Sequence, residues 1–342
     1  MKKQSILLLT IIILASCSNS NKAPKNIDAK FPSLRKKAID LFGKLPNIAD
    51  NKENPVTDAK VALGKRLYFD KILSKDNTQS CNTCHNLNTY GVDNNPFSKG
   101  NDGELGGRNS PTTLNAALHI AQFWDGREPD VEAQAGGPIL NPVEMAMPSK
   151  AVVVARLDAD ESYFDMFDAA FPGADEAITY DKLQKAIGAF ERRLITPSKF
   201  DKYLTGDNNA LTDKEKEGLQ TFIKIGCTNC HNGVAIGGNS FRKFGEMQGD
   251  YWKYTKSKKI DNGKFDITGN ESDKYVFKVA GLRNVSKTYP YFHDGSVDNL
   301  EDAVKIMAKT QLNKELTKTE LEQIVAFLNS LTGEIAGDLK AR

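Results

Sequence analysis

The chain has 342 residues, of which 39% are hydrophobic and 26% charged, an ordinary composition for a globular protein and enough length for two domains with separate cores. Its 46 basic and 44 acidic residues become 44 of each once the two lysines in residues 1–16 are set aside. This balance excludes the basic footprint of a nucleic-acid-binding protein.

The N-terminus has the layout of an export signal. Lys2 and Lys3 precede an apolar run over 6–15, which is shorter than the roughly 20 residues that span a bilayer. The run ends in Leu-Ala-Ser-Cys, which resembles a bacterial lipoprotein box. We therefore predict a signal peptide over 1–16, lipidation of Cys17, and a flexible tether over 17–30. An ordinary signal peptide followed by a chance cysteine is the alternative.

Helical patterns precede two cysteine motifs and close the chain. Residues 58–71 carry apolar side chains before the first motif, at Val61, Ala62, Leu67 and Phe69. Thr212 and Glu215 have the spacing of a capping box at the start of the stretch that leads into the second motif, and Thr317 and Glu320 repeat that spacing. An apolar stripe follows the last box, at Leu321, Ile324, Val325 and Leu328. Strand-like alternation is scarce, so the predicted fold class is all-α.

Two CxxCH motifs account for four of the five cysteines, namely Cys81, Cys84, Cys227 and Cys230. Two cysteines three apart on a helical turn project to one side, where their thiols can add to the vinyl groups of one porphyrin. The next residue, His85 or His231, can then bind the iron as an axial ligand. A redox dithiol would need a βαβ context that the sequence lacks, and a four-cysteine zinc site would not explain the adjacent histidines.

The segment 86–150 has no counterpart in the second half of the chain. It is rich in Gly, Asn and Pro, and it contains Leu114, Ile120, Phe123 and Trp124, which argue against disorder. A loop-rich segment of this length in a compact domain is usually functional. We therefore predict two c-type cytochrome domains, over 31–200 and 201–342, with a long insertion in the first.

Six sequence motifs, in order CNTCHN, RNSPT, QFWDGR, PVEM, GLRNV and YPYFHDG, resemble the bacterial di-haem cytochrome c peroxidase family. The resemblance extends from about residue 45 to residue 335. It implies two covalent haem c groups and reduction of hydrogen peroxide to water. It further implies electrons from a small c-type cytochrome or a blue copper protein, and a possible homodimer. The export signal adds the periplasmic side of a bacterial membrane and a lipid anchor.

The resemblance also implies roles for individual residues. The haem on Cys81, Cys84 and His85 matches the peroxide-reducing haem. The haem on Cys227, Cys230 and His231 matches the electron-entry haem, with Met307 as its second axial ligand. Met247, Met145 and Met147 are rivals of Met307, and His293 is expected near the second haem without binding its iron. A thioether ligand raises the potential of haem iron, which suits electron entry.

Further matches concern the peroxide pocket and a cation site. Trp124 matches an indole between the haems, and Gln134 and Glu144 match polar residues of the pocket, where a carboxyl group can move a proton between peroxide oxygens. Asn109 and the backbone carbonyls of Thr288 and Pro290 match a calcium site, and such oxygen ligands suit Ca²⁺. Each of these side chains could instead have a purely structural role. Arg108 and Arg127 could bind haem propionates or lie on the surface.

One position departs from the family. Asn101 stands where well-studied members carry a histidine that caps the peroxide-reducing iron, and an asparagine amide is a poor iron ligand. We expect either a first haem that is open at rest or an imidazole supplied by His119 instead. A non-catalytic di-haem electron carrier and a di-haem oxidase of another substrate are the competing functions.

Overall fold

The structure is a computed structural model that describes residues 30–340. The predicted signal peptide, Cys17 and nearly all of the tether lie outside the described residues. Within that range the chain forms thirteen α-helices: α1 (Leu34–Phe42), α2 (Asp58–Phe69), α3 (Cys81–Cys84), α4 (Val131–Leu140), α5 (Lys150–Asp158), α6 (Glu161–Ala170), α7 (Tyr180–Glu191), α8 (Lys199–Leu204), α9 (Asp213–Ile225), α10 (Tyr251–Thr255), α11 (Phe265–Thr268), α12 (Leu300–Leu312) and α13 (Lys318–Asn329).

The only sheet in residues 30–340 has two antiparallel strands, β1 (Phe241–Lys243) and β2 (Val276–Lys278). Their register pairs Phe241 with Lys278 and Lys243 with Val276. The helix-rich class expected from the sequence is therefore confirmed. No helix of the described range is long and apolar enough to cross a membrane.

Local capping explains where the long helices begin. Thr212 and Glu215 cap each other's backbone at the start of α9, and Thr317 and Glu320 do so for α13, as the sequence predicted. Each such cap stabilises a helix by about 1 kcal/mol, since it satisfies amide groups that the helix leaves unpaired. Helix α4 lies within the Gly-rich segment 86–150 and begins where the side chain of Asp130 accepts from the amide of Ala133.

The helix before each cysteine motif crosses a later helix at a glycine. A Cβ atom on Gly64 of α2 would lie 1.9 Å from the carbonyl oxygen of Ala186 in α7. A Cβ atom on Gly218 of α9 would lie 2.0 Å from the carbonyl oxygen of Gln323 in α13. Both crossings therefore require glycine, and the two halves of the chain share this arrangement.

Two separate hydrophobic clusters form the cores of the first and second halves of the chain. The first buries side chains of α2, α4, α5, α6 and α7, and the second buries side chains of α8, α9 and α13. Some packing crosses the predicted domain boundary at residue 200. Leu34 and Phe42 of α1, from the first half, pack in the second cluster. Ile335 and Leu339, from the second half, pack beside Tyr68 of the first half. The division into two haem domains stays a prediction.

Candidate active site

The first cysteine motif lines a cavity of about 600 Å³, here called the first cavity. Helix α3 is preceded by its N-cap residue Ser80, whose amide donates to the hydroxyl of Thr83 at 2.9 Å, and this single turn places Cys81 and Cys84 on the cavity wall. His85 ends the turn, and its carbonyl oxygen accepts from the hydroxyl of Tyr68 at 2.6 Å. The side chains of Cys81, Cys84 and His85 thus line one space, as the interpretation of CxxCH as a haem-attachment motif requires.

The second motif lines a separate, mostly apolar cavity of about 200 Å³, here called the second cavity. Gly226, with a φ of 101°, ends α9, and a 3-10 turn then carries Cys227. Cys230, His231 and Met307 line the same cavity, so the structure brings the predicted axial pair together. Met247 is 56% exposed and does not line it.

The chemistry of these donors fits covalent haem and does not fit zinc. The four cysteines are free of disulfide bonds, and the two pairs line different cavities. Residues 30–340 contain no cluster of three or more His, Cys, Asp or Glu side chains that could hold a metal ion. Burial lowers the pKa of His85, and it lowers the pKa of His231 to about 4, so both imidazoles are neutral and able to bind iron.

Trp124 lines both cavities. Its indole Nε1 donates to the carbonyl of Asn109 at 2.8 Å, and its own carbonyl accepts from the amide of Lys278 at 2.8 Å. The ring is therefore held between the spaces that the two motifs line, and its position between two haems stays a prediction.

Glu144 and Gln134 both line the first cavity. Burial raises the pKa of the Glu144 carboxyl group, although a hydrogen bond from Asn141 and the charge of Arg127 oppose the rise. Oε1 of Glu144 accepts from the amide of Asn141 at 2.7 Å, which orients the carboxyl group. A carboxyl group whose pKa is raised by burial is better able to hold a proton and pass it on.

Asn101 does not line the first cavity. Its Oδ1 accepts from the backbone amide of Asp76 at 3.2 Å and from the hydroxyl of Thr78 at 3.1 Å. Its Nδ2 donates to Asp76 Oδ2 at 2.9 Å. The amide is thus held by the loop before the first motif, outside the wall of the first cavity.

His119 is likewise absent from the wall of the first cavity. It is buried against Gly238 and Gly281, and its Nδ1 lies 3.2 Å from Nζ of Lys278. The expectation that His119 could replace the missing imidazole at the first motif is therefore wrong, because the ring packs against the chain of the second half.

The predicted calcium ligands belong to segments that hydrogen bonds hold together. The backbone amide of Asn109 donates to the carbonyl of His293 at 2.7 Å, and Nδ2 of Asn109 donates to Asn95 at 2.8 Å. Asn94 in turn donates to the carbonyl of Tyr289 at 2.7 Å, between Thr288 and Pro290. His293 lines the second cavity, stacked on Phe277 with ring centroids 4.3 Å apart. Calcium itself stays a prediction.

Sequence reasoning named Arg108 and Arg127 but missed their carboxylate partners. Arg108 pairs with Asp125 and makes two bonds to Asp261, at 2.7 and 2.8 Å, while Arg127 also pairs with Asp125, at 2.9 Å. Both arginines therefore already have carboxylate partners. Glu191 in the first cavity and Lys278 in the second were also missed. Asp125, which follows Trp124 in QFWDGR, is the one carboxylate partner that a local pattern could have indicated, because Asp261 is remote from Arg108 in sequence.

Sequence comparison identifies known proteins that are similar to this chain. A family model described as di-haem cytochrome c peroxidase matches residues 58–209. The chain is 44% identical over 308 residues to cytochrome c551 peroxidase of Pseudomonas aeruginosa, covering 90% of this chain and 88% of that protein. It is 48% identical over 275 residues to cytochrome c551 peroxidase of Nitrosomonas europaea, covering 80% and 79%.

A solved structure gives the same result for the fold. The crystal structure of a MauG-like protein associated with microbial copper homeostasis superposes with a TM-score of 0.77 at 30% identity. The match covers 88% of this chain and 98% of that one.

Proposed function

Since the chain belongs to the di-haem cytochrome c peroxidase family, we propose that it reduces hydrogen peroxide to two water molecules, with two electrons and two protons consumed. The observation that carries the proposal is the pair of CxxCH-lined cavities that share Trp124, one of them holding the half-buried acid Glu144. Haem, when bound to both motifs, supplies one-electron exchange and the iron chemistry that cleaves the O–O bond.

Glu144 is the proposed proton carrier for peroxide. Its raised pKa lets the carboxyl group take a proton from one peroxide oxygen and give it to the departing oxygen. Asn141 orients the carboxyl group through the 2.7 Å bond to Oε1, and Gln134 shares the cavity as a candidate hydrogen-bond partner of peroxide.

Electrons are proposed to enter at the second motif and to pass by way of Trp124 to the first. His231 and Met307 line the second cavity together, which supports a closed, electron-transferring site there. The first motif shares its cavity with Glu144 and Gln134, which supports the catalytic role for this half. The names of the relatives support a small c-type cytochrome as the donor, and a blue copper protein is the other class proposed.

The first site is proposed to be open to peroxide before any reduction. Asn101 supports this, because its amide is bonded to Asp76 and Thr78 and does not line the cavity. The export signal and Cys17 support a lipid-anchored location on the periplasmic side of a bacterial membrane.

The test is steady-state peroxide reduction by the haem-complete, calcium-loaded protein with a reduced small c-type cytochrome. Equal turnover from fully oxidised and from one-electron-reduced enzyme is expected, and turnover only after reduction would contradict the open site. Glu144→Gln should lower kcat/KM for peroxide about 10²–10⁴-fold, the usual contribution of a positioned acid–base group. Glu104→Gln, an exposed acid of the same segment, is the control. An absence of turnover with several donors would favour an electron carrier or another substrate.

A further inference from the structure

Lys278 is a buried lysine on the wall of the second cavity. The residue is 7% exposed, and it ends strand β2, where it pairs with Phe241. Burial lowers the pKa of Lys278 to about 8, and the charge of Asp125 opposes the fall, but the carboxylate of Asp125 is already bonded to Arg108 and Arg127. No carboxylate of residues 30–340 forms a salt bridge with Lys278.

A buried ammonium group without an anion is costly. Its removal from water costs several kcal/mol, and proteins normally offset this with a paired carboxylate or another anion at hydrogen-bond distance. Here the hydrogen-bond partner of the ammonium among residues 30–340 is a neutral imidazole, and Lys278 also lines the second cavity. An anion that belongs to whatever fills the cavity would complete the pair.

His119 holds the Lys278 ammonium in place. Nδ1 of His119 lies 3.2 Å from Nζ of Lys278, so the neutral ring accepts a hydrogen bond from the lysine. The ring occupies a space that only glycine leaves open, since a Cβ atom on Gly238 would lie 2.1 Å from its Cδ2 and one on Gly281 would lie 2.7 Å from its Nε2. Gly238 also accepts a backbone hydrogen bond from Ile120 at 2.9 Å.

We propose that Lys278 is the counter-ion of a propionate carboxylate of the haem attached at Cys227 and Cys230, and that His119 is the positioning residue for its ammonium group. The inference rests on the proposed function, because it takes the second cavity as a haem site. Haem carries carboxylates, and the cavity wall is otherwise mostly apolar apart from Arg242, which is exposed, so Lys278 is the buried cation available to them.

The pairing has a consequence for electron transfer. A positive charge beside a propionate stabilises the reduced form of the haem more than the oxidised form, because reduction adds negative charge. Lys278 therefore raises the potential at the site proposed for electron entry. The backbone amide of Lys278 also donates to the carbonyl of Trp124, the residue that lines both cavities.

The experiment is a spectroelectrochemical titration of both haems in the haem-complete protein. In Lys278→Met the midpoint potential of the second-site haem should fall and that of the first-site haem should not change. Lys278→Arg should recover most of the loss, and His119→Leu should lower the same potential by a smaller amount. Lys243→Met, which removes an exposed lysine from the neighbouring strand, is the matched control.

The outcomes separate the two proposals. A second-site potential that is the same in Lys278→Met and Lys243→Met overturns the inference and leaves the peroxidase proposal standing. A chain that carries no haem at Cys227 and Cys230, seen by mass spectrometry of the intact protein, overturns both. Resonance Raman spectra give a second readout, because the propionate bands of the second haem should move in Lys278→Met and stay in Lys243→Met.

Discussion

Glu191→Gln should stabilise the protein, and by more as the pH rises. Glu191 ends helix α7 at the wall of the first cavity and is 4% exposed. Arg192, the adjacent cation, is committed to Glu132 through bonds of 2.7 Å to each carboxylate oxygen. Burial, followed by the negative charge of Glu132, raises the pKa of Glu191 to about 8, although Arg192 opposes the rise.

The size of the effect follows from the two pKa values. In the unfolded chain the carboxyl group has its ordinary pKa of 4.5. Below that pH both states hold the proton and the group has no effect. Between 4.5 and about 8 only the unfolded state loses the proton, so the folded state loses about 1.4 kcal/mol of stability for each pH unit. The penalty is about 3 kcal/mol at pH 7 and about 5 kcal/mol above pH 8.

Glutamine resembles the protonated acid in shape and removes this penalty. Haem in the cavity would exclude further water from the carboxyl group and so favour the same direction of shift. The assay is guanidinium unfolding of the haem-complete wild type and variant from about pH 5 to about pH 9. Their difference in unfolding free energy should grow with pH, whereas the exposed control Glu53→Gln should show no such growth. A difference that is constant, or that grows as the pH falls, would refute the assignment.

Three further predictions concern the proposed ligands of haem iron and of calcium. Met307→His should lower the midpoint potential of the second-site haem, because an imidazole replaces a thioether that favours ferrous iron, while the exposed control Met247→Leu should leave that potential unchanged. Removal of Ca²⁺ by a chelator should lower the melting temperature and peroxide turnover, both restored by added Ca²⁺. Asn109→Ala should raise the Ca²⁺ concentration needed for that recovery, and calorimetry that finds no Ca²⁺ binding would contradict the site.

Local chemistry explains what the sequence could predict. The capping boxes at Thr212 and Thr317 act over three residues, so their pattern alone locates the start of α9 and α13. The CxxCH spacing likewise predicts one turn with both thiols on one wall, although Gly226 makes the second turn 3-10 and not α-helical. The stripe on α13 was correct except at one place, since Phe327 is buried where Val325 is only partly so.

Contacts between remote residues explain what the sequence could not predict. Ala62 is one of the apolar residues that precede the first motif in sequence, but it is exposed, because α2 turns the face with Leu63 and Gly64 towards α7. His119 stands just before Trp124 in sequence, yet its ring packs on Gly238 and Gly281 from the second half. No local pattern encodes such a pairing, since both glycines read as loop residues.

The surroundings of Asn101 add to what its identity alone indicated. The sequence alone indicated only that an imidazole is missing, which left open whether another side chain had replaced it. The structure adds that Asn101 has hydrogen-bond partners of its own in Asp76 and Thr78, at distances of 2.9 to 3.2 Å. A side chain at position 101 would have to give up these bonds before it could enter the first cavity. The proposed open site therefore has two supports in Asn101, the poor affinity of its amide for iron and the hydrogen bonds that hold that amide in the loop.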